Sequence, residues 1–427
     1  MMTIAGLLLM ALLGWADHVA DPADELQATI QELIRHLEAA TLLERARAER
    51  ELSDLGPKIL RWLPPKELLP GPASRAAVDR LRNQLQRRLA TDSAKPSRVT
   101  IDGTYPINEL LAEMSRQTGN STRVAEGASD VTGVWTLDNV TYWTAIDEIC
   151  RLAKLTPRFP GNAAGLELVP SEPGIPAGAI CRAGVLRAVA TSATVQPIAG
   201  QSTDRLIRVE GELAFEPRLR PLFVHYQAGN FTATGSDRKK LSAWNPAAKY
   251  ELPLADASRR TMFRWDFLAP ADEVPDEIAI QGRLLVQLAA ATEEIRFDLP
   301  VKQGEVLRRR GGVSVRLQEA EIAADDNAPS ARLTVTVSYD TGGPAFESHR
   351  TWVYHNAAWI EADQERIPLT DFDALLQTDG SVQLEYRFRD LPKERPLKFV
   401  YEAPTLLLDV PFDVAFERVE VRKQIGP

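Results

Sequence analysis

Two cysteines, Cys150 and Cys181, are the only thiols in this 427-residue chain, so at most one disulfide can form. A four-cysteine zinc site is excluded, and the spacing matches no redox motif. An oxidising compartment would permit the pair to join; two buried, unpaired thiols acting as small hydrophobes are the other reading. Long apolar runs are also missing. The longest, Ile4 to Leu13, is about ten residues, short of the roughly 20 needed to cross a bilayer as a helix but within the range of a signal-peptide core. Positive charge is in deficit: 50 Lys and Arg stand against 59 Asp and Glu, a net charge of -9, which argues against nucleic acid as a partner. The chain contains no Gly-x-Ser-x-Gly elbow, phosphate-binding Gly-Lys loop, dinucleotide fingerprint or His-Glu-x-x-His helix, so no cofactor, metal site or catalytic residue is assigned.

What is present is modular. A 44% hydrophobic and 26% charged composition is that of folded protein, and the length predicts three or four units. The apolar run, followed by Gly14, Ala16 and Ala20, predicts a signal peptide over residues 1–20 and export to the periplasm, cell envelope or outside. No Lys or Arg precedes the run. No membrane span is expected after cleavage.

Residues 21–95 have helical period. Leu26, Ile30, Leu33, Ile34 and Leu37 form one apolar stripe, a second run from Leu42 to Asp54 ends at Gly56-Pro57, and Val78, Leu81, Leu85 and Leu89 mark a third helix. The stretch Glu44 to Leu63, ERARAERELSDLGPKILRWL, resembles a HEAT repeat. It covers too little chain for a stacked solenoid, so a short helical segment is the expectation.

Residues 96–172 read as a small α+β domain in the order β-α-β-β-α-β, with helices in PINELLAEMSRQTG and NVTYWTAIDEICRLAKL. This pattern resembles the small N-terminal domain of secretins and TonB-dependent receptors. The resemblance implies contacts with envelope partners but carries over neither a pore nor a receptor barrel. A Pro and Gly cluster from Pro170 to Gly178 then marks a linker.

From there the chain alternates. Ile207, Val209, Gly211, Leu213 and Phe215 share one parity, as do Ile278 to Leu288, then Ile295, Phe297 and Leu299, and later Val313 to Leu317, Leu333 to Tyr339, Val382 to Phe388 and Phe412 to Phe416. Two C-terminal antiparallel β-sandwiches are expected, over 173–302 and 303–427. The basic Arg308-Arg309-Arg310 is read as a solvated cluster beside a Gly311-Gly312 hinge. The fold class is therefore multidomain α+β and all-β.

Several residues invite chemistry. Asp340-Thr341-Gly342 matches three residues of an aspartic-protease motif, but without a second copy it reads as a turn. His349 and His355 share parity with Glu347, yet six residues of strand separate the imidazoles by about 20 Å, too far for one metal. Asp325-Asp326-Asn327 lacks the spacing of a calcium loop. Among aromatics, Phe263, Trp265 and Phe267 read as a core stripe, whereas Trp244-Asn245-Pro246 and Trp359 are the better candidates for stacking on a sugar ring. Sequons begin at Asn120, Asn139 and Asn230. The leading expectation is an exported envelope protein, non-enzymatic, that binds another protein or a surface polymer through its sandwiches. The alternatives are a polysaccharide hydrolase with a scattered carboxylate pair and an accessory part of a secretion or uptake assembly.

Overall fold

The computed structural model describes residues 22–64, 68–93, 95–128, 131–160, 165–172, 178–254, 259–300, 304–310, 312–323, 329–339, 353–354, 356–363, 365–378, 380–392 and 395–423. The leader run, Asp325-Asp326-Asn327, Asp340-Thr341-Gly342, Glu347, His349 and His355 lie outside them. The chain divides into two compact units between Leu85 and Gln86. It is a multidomain α+β and all-β protein with an N-terminal helical segment and several antiparallel sheets.

The first unit is built from α1 (Pro22–His36), α2 (Leu42–Asp54) and the start of α3 (Pro72–Ser93). Ile30, Leu33, Leu37, Leu52, Val78, Leu81 and Leu85 fill its core. The helix α2 is capped by Thr41, whose hydroxyl accepts from Glu44 N at 3.2 Å. It stops where Gly56 turns left-handed (φ 77°) ahead of a 3₁₀ turn at Pro57.

In the second unit, β1 (Arg98–Pro106), α4 (Ile107–Thr118), β2 (Thr122–Val124), β3 (Thr132–Thr141), α5 (Tyr142–Ala153), β4 (Leu155–Arg158) and β5 (Leu166–Pro170) form the small domain. Its strands make two separate sheets, β1 against β3 and β2-β5-β4, with β2 parallel to β5. Met114, Trp135, Trp143, Ile146 and Ile149 lie in the core between.

The strands that follow are β6 (Ala179–Ala183), β7 (Leu186–Ile198), β8 (Gln201–Phe215), β9 (Arg220–Gln227), β10 (Phe231–Gly235), β11 (Lys240–Leu241), β12 (Lys249–Pro253), β13 (Arg260–Pro270) and the long β14 (Glu277–Leu299). After them come β15 (Val306–Arg310), β16 (Val313–Ala323), β17 (Ser330–Tyr339), β18 (Ala358–Ala362), β19 (Glu365–Pro368), β20 (Asp371–Thr378), β21 (Ser381–Phe388) and the equally long β22 (Leu397–Glu420). A four-stranded sheet, β13-β8-β7-β6, and a five-stranded sheet, β15-β16-β17-β21-β20, each pack on a common eight-stranded sheet. At the centre of that common sheet β14 pairs with β22 in one unbroken antiparallel register from Ile280↔Phe416 to Leu299↔Leu397.

The two sandwiches use opposite faces of this strand pair. Even positions of β14, Ile280, Leu284, Val286 and Leu288, and of β22, Leu408 to Phe416, enter the first core. Odd positions, Ala289, Ile295, Phe297, Leu299 and Leu397 to Ala403, enter the second. Because strand residues alternate in direction, a change of parity without a bulge moves the core from one face to the other. Where the cores overlap, Val286, Gln287, Leu288 and Ala289 are all buried. Arg220 spans this crossover, donating to Thr292 Oγ1 (3.2 Å), Glu402 Oε1 (3.1 Å) and Asn356 Oδ1 (2.9 Å). The expected division at residue 303 therefore meets a sheet that is continuous across it, and residues 408–421 return to the first core. Arg308 to Arg310 stand in edge strand β15, and Gly311 of the expected hinge lies outside the described residues.

The small domain docks on the first sandwich around a buried carboxylate. Glu216 is fully buried and accepts from Ser97 N (3.0 Å), Ser97 Oγ (2.8 Å) and Arg218 Nε (2.6 Å), with Asn120 Nδ2 at 3.3 Å. Arg218 N donates to Asn120 Oδ1 at 2.9 Å. Asn120 is itself buried, so its sequon is closed to modification in the folded chain. Beside this hub, Trp143 Nε1 donates to Val185 O at 2.9 Å, and Asp147 accepts from Arg182 Nε (2.6 Å) and Arg187 Nε (2.9 Å). Loss of one partner from a buried ion pair costs about 3–5 kcal/mol. Replacing Glu216 by Ala should lower stability by that order in denaturant unfolding, while Arg283→Ala, at an exposed pair with Asp413, should change it little.

Cys150 and Cys181 are both buried and unpaired. Burial pushes the Cys150 thiol up from 9.0 to about 12, with Asp147 adding and Arg187 opposing. Burial raises Cys181 too, although Ala415 N donates to its sulfur at 3.2 Å. Neither thiol should react with a disulfide reagent at pH 8 until the chain unfolds, when two equivalents should titrate. The folded state favours the Cys150 thiol over its thiolate, so this contribution to stability is whole below pH 9 and falls as pH rises towards 12. A denaturation midpoint declining over that window would show it.

Candidate functional site

The first sandwich core contains a run of stacked aromatic rings that reaches the surface. Alternation in β13 turns Phe263, Trp265 and Phe267 inward, all nearly fully buried, as the sequence pattern predicts. Phe263 stacks on Trp265 (centroids 4.0 Å) and Trp265 on Phe231 (4.3 Å). Phe231 meets Tyr226 edge-on at 5.3 Å, and Tyr226 stacks on Tyr250 at 5.1 Å and 23°. Such pairs add about 0.5–1.5 kcal/mol each beyond their burial. Tyr250, 39% exposed, is the outer end of the run.

Two glycines make room for it. A Cβ on Gly282 of β14 would fall on the Phe231 ring, and one on Gly211 of β8 would overlap the Phe263 ring and the Val189 carbonyl. Both positions sit in strands where a β-branched residue is favoured by propensity, so close ring approach accounts for the glycine.

The exposed indole is Trp244, 41% accessible, and its loop is pinned from both sides. Trp244 N donates to Asp266 O (2.8 Å) and Leu268 N to Ser242 O (2.9 Å), tying the loop to β13. On the other side Gly229 N and Gln227 Nε2 both donate to Pro246 O at 3.0 Å. The Trp-Asn-Pro tripeptide therefore presents its indole from a fixed backbone.

Trp244 and Tyr250 border a narrow slot with Asn245, Arg264, Asp266 and Trp265, holding about 10 Å³, room for one water-sized group. Trp265 Nε1 is buried, with the Tyr226 side chain as its hydrogen-bonding neighbour. The Tyr226 hydroxyl donates to Arg264 O at 3.2 Å, and burial holds it well above the usual tyrosine range. On the far side of Tyr250 a wider depression of about 320 Å³ is lined by His225, Gln227, Lys249, Glu251, Arg283 and Leu285, with Tyr226 and Tyr250 forming the shared wall. His225 Nε2 is buried and has no hydrogen-bond partner among the described residues.

The charges nearby are matched across strands. Arg208 forks onto Asp266 (2.9 and 3.0 Å), Arg264 meets Glu210 (3.2 Å), and Arg283 meets Asp413 (2.6 Å). Among the described residues, Asp266 lines the slot and Glu251 the wider hollow. Among the described residues no group of three or more His, Cys, Asp or Glu is placed to hold a metal ion, and no helix is long and apolar enough to cross a membrane.

Of the two tryptophans singled out by sequence, only Trp244 is available. Trp359 is 6% exposed, its ring covered by the Arg366 guanidinium 4.3 Å from the centroid. That cover comes from β19 pairing back on β18, which sets Arg366 against Glu361, a register invisible in the pattern. Tyr250 and Tyr226 were not singled out. The alternation of Lys249 to Pro253 marks a strand, but only pairing with β9 places Tyr250 over Tyr226. No protein-family model matches the chain, and no curated protein matches it in sequence.

Gly282→Ala should displace Phe231 and cost about 1–3 kcal/mol, as overpacked cores do. Near-ultraviolet circular dichroism should lose intensity from the stacked Trp265, while Gly380→Ala, at a site where a Cβ meets nothing, should leave that signal unchanged.

Proposed function

We propose that this chain is an exported, non-enzymatic binding protein of the cell envelope, and that it recognises a surface polymer through the Trp244 and Tyr250 face of its first sandwich. The observation that carries the reading is the pairing of two large exposed aromatic side chains, 41% and 39% accessible, with a backbone and ring stack that already hold them in place. Rigid aromatic anchors lose little conformational freedom on binding, which is why they dominate recognition energetics. Export rests on the apolar run from Ile4 to Leu13. The resemblance of the small domain to envelope-assembly modules supports the same compartment.

Retention of the purified protein on immobilised envelope polysaccharide from its host tests the reading. Trp244→Ala and Tyr250→Ala should each weaken retention at least about ten-fold, the scale of an interfacial hot spot, without lowering the melting temperature by more than a few degrees. Unchanged retention in both variants, or retention abolished equally by Trp359→Ala, would overturn it.

A further inference from the structure

We infer that copies of this chain join head to tail through the second sandwich, with edge strand β15 of one copy set against edge strand β20 of the next. The contact uses no residue of the Trp244 face and stands apart from the polymer reading.

The sheet topology supplies two open edges. The five-stranded sheet runs β15-β16-β17-β21-β20, so among the described residues β15 pairs only with β16 and β20 only with β21. Each outer edge therefore offers a row of backbone N–H and C=O groups that another strand can satisfy. Apolar side chains mark the same two strands. Among the described residues beyond Leu299, the large apolar side chains that stand exposed are Leu307 of β15 (54%) and Leu375 and Leu376 of β20 (50% and 58%). The strands between them turn their large apolar residues into the core. Leucines left out at both edges are covered together when one edge meets the other.

Charge selects which edges meet. Strand β15 carries Arg308, Arg309 and Arg310 in sequence and no acid, and the neighbouring Glu305 is taken by Arg316 of β16 at 2.5 Å. Strand β20 carries Asp371 and Asp373 and no base. Both acids share the Arg387 guanidinium of β21, at 2.8 and 2.7 Å, which Glu385 also uses at 2.7 Å. One edge is basic and the other acidic. Pairing like edges would set Arg against Arg or Asp against Asp, which is unfavourable directly across a ladder. Charges that keep every edge apart would need one sign on both; opposite signs exclude the symmetric pairings and leave β15 against β20. Because two different surfaces meet, the contact repeats to a third copy or closes into a ring.

The contact is also small. Strand β15 has five residues and β20 eight, and the register of β20 shifts between Ala374 and Leu376, which makes Leu375 the extra residue of a bulge. The ladder is short, as in weak contacts that form and part with concentration.

Sedimentation velocity of the full chain tests this. Between about 1 and 300 µM, which brackets association in the micromolar range, the weight-average mass should rise about two-fold from the 47.2 kDa of one chain and return on dilution. Arg308→Glu with Arg309→Glu should hold the protein monomeric over that range, and so should Asp371→Lys with Asp373→Lys. A chain carrying all four changes has opposite signs across the contact once more and should associate again. That regain, with melting temperatures within a few degrees of the unmodified protein, separates complementarity from damage to the fold. A chain that stays monomeric at the highest concentration would overturn the inference. So would association that neither pair of substitutions reduces, or that the four together do not restore.

Discussion

The unbroken pairing of β14 with β22 is the constraint on which the β part of this molecule depends. A single register runs from Ile280↔Phe416 to Leu299↔Leu397, and the two cores take their share from opposite faces of it. A slip of one residue would expose Leu284 and Val286 at one end and Ile295 and Phe297 at the other, so both sandwiches enforce the same pairing. Neither core closes without strand segments that lie far away in sequence. The first needs residues 408–421 and the second needs residues 289–299. The two sandwiches therefore belong to one cooperative structure, and their relative placement follows from the sheet they share.

Buried polar contacts fix what the sheet leaves free. Glu216 gathers Ser97, Asn120 and Arg218 and so joins the small domain to the end of β8. Arg220 draws Thr292, Asn356 and Glu402 together at the place where the covered face changes. A buried charge is tolerated only with its partners in position, so these groups add specificity of arrangement to the nonspecific attraction of the cores. The ring stack from Phe263 to Tyr250 carries that order to the surface, and the glycines at 211 and 282 give it space. Trp244 and Tyr250 are thus positioned by the same packing that stabilises the sandwich.

Local pattern made much of this legible. The inward parities of β8, β16, β17 and β21, the stop of α2 at Gly56-Pro57, and the order of elements between Arg98 and Pro170 all follow from spacing and turn residues. The shared sheet did not. Ile278 to Leu288 and Ile295 to Leu299 read as two strands because the parity changes between them. In the structure the strand continues and the core changes sides. The run from Val286 to Ala289, where alternation disappears, was the available signal, since a stretch buried on both faces has no polar side to alternate with. The site was half legible: an isolated Trp-Asn-Pro between strands marked Trp244. Tyr250, Trp265 Nε1 and the cover over Trp359 depend on cross-strand register, and no single-strand pattern carries that information.

The central claim is that the face around Trp244 and Tyr250 is where this protein meets its ligand. Hydrogen–deuterium exchange of the full chain, with and without saturating polysaccharide from its host's envelope, tests it without any substitution. Slowed exchange in residues 225–231 and 242–252, with the five-stranded sheet and the helical unit unchanged, is the predicted result. Protection confined to β15 and β20, or to the small domain, would place recognition elsewhere and contradict the account.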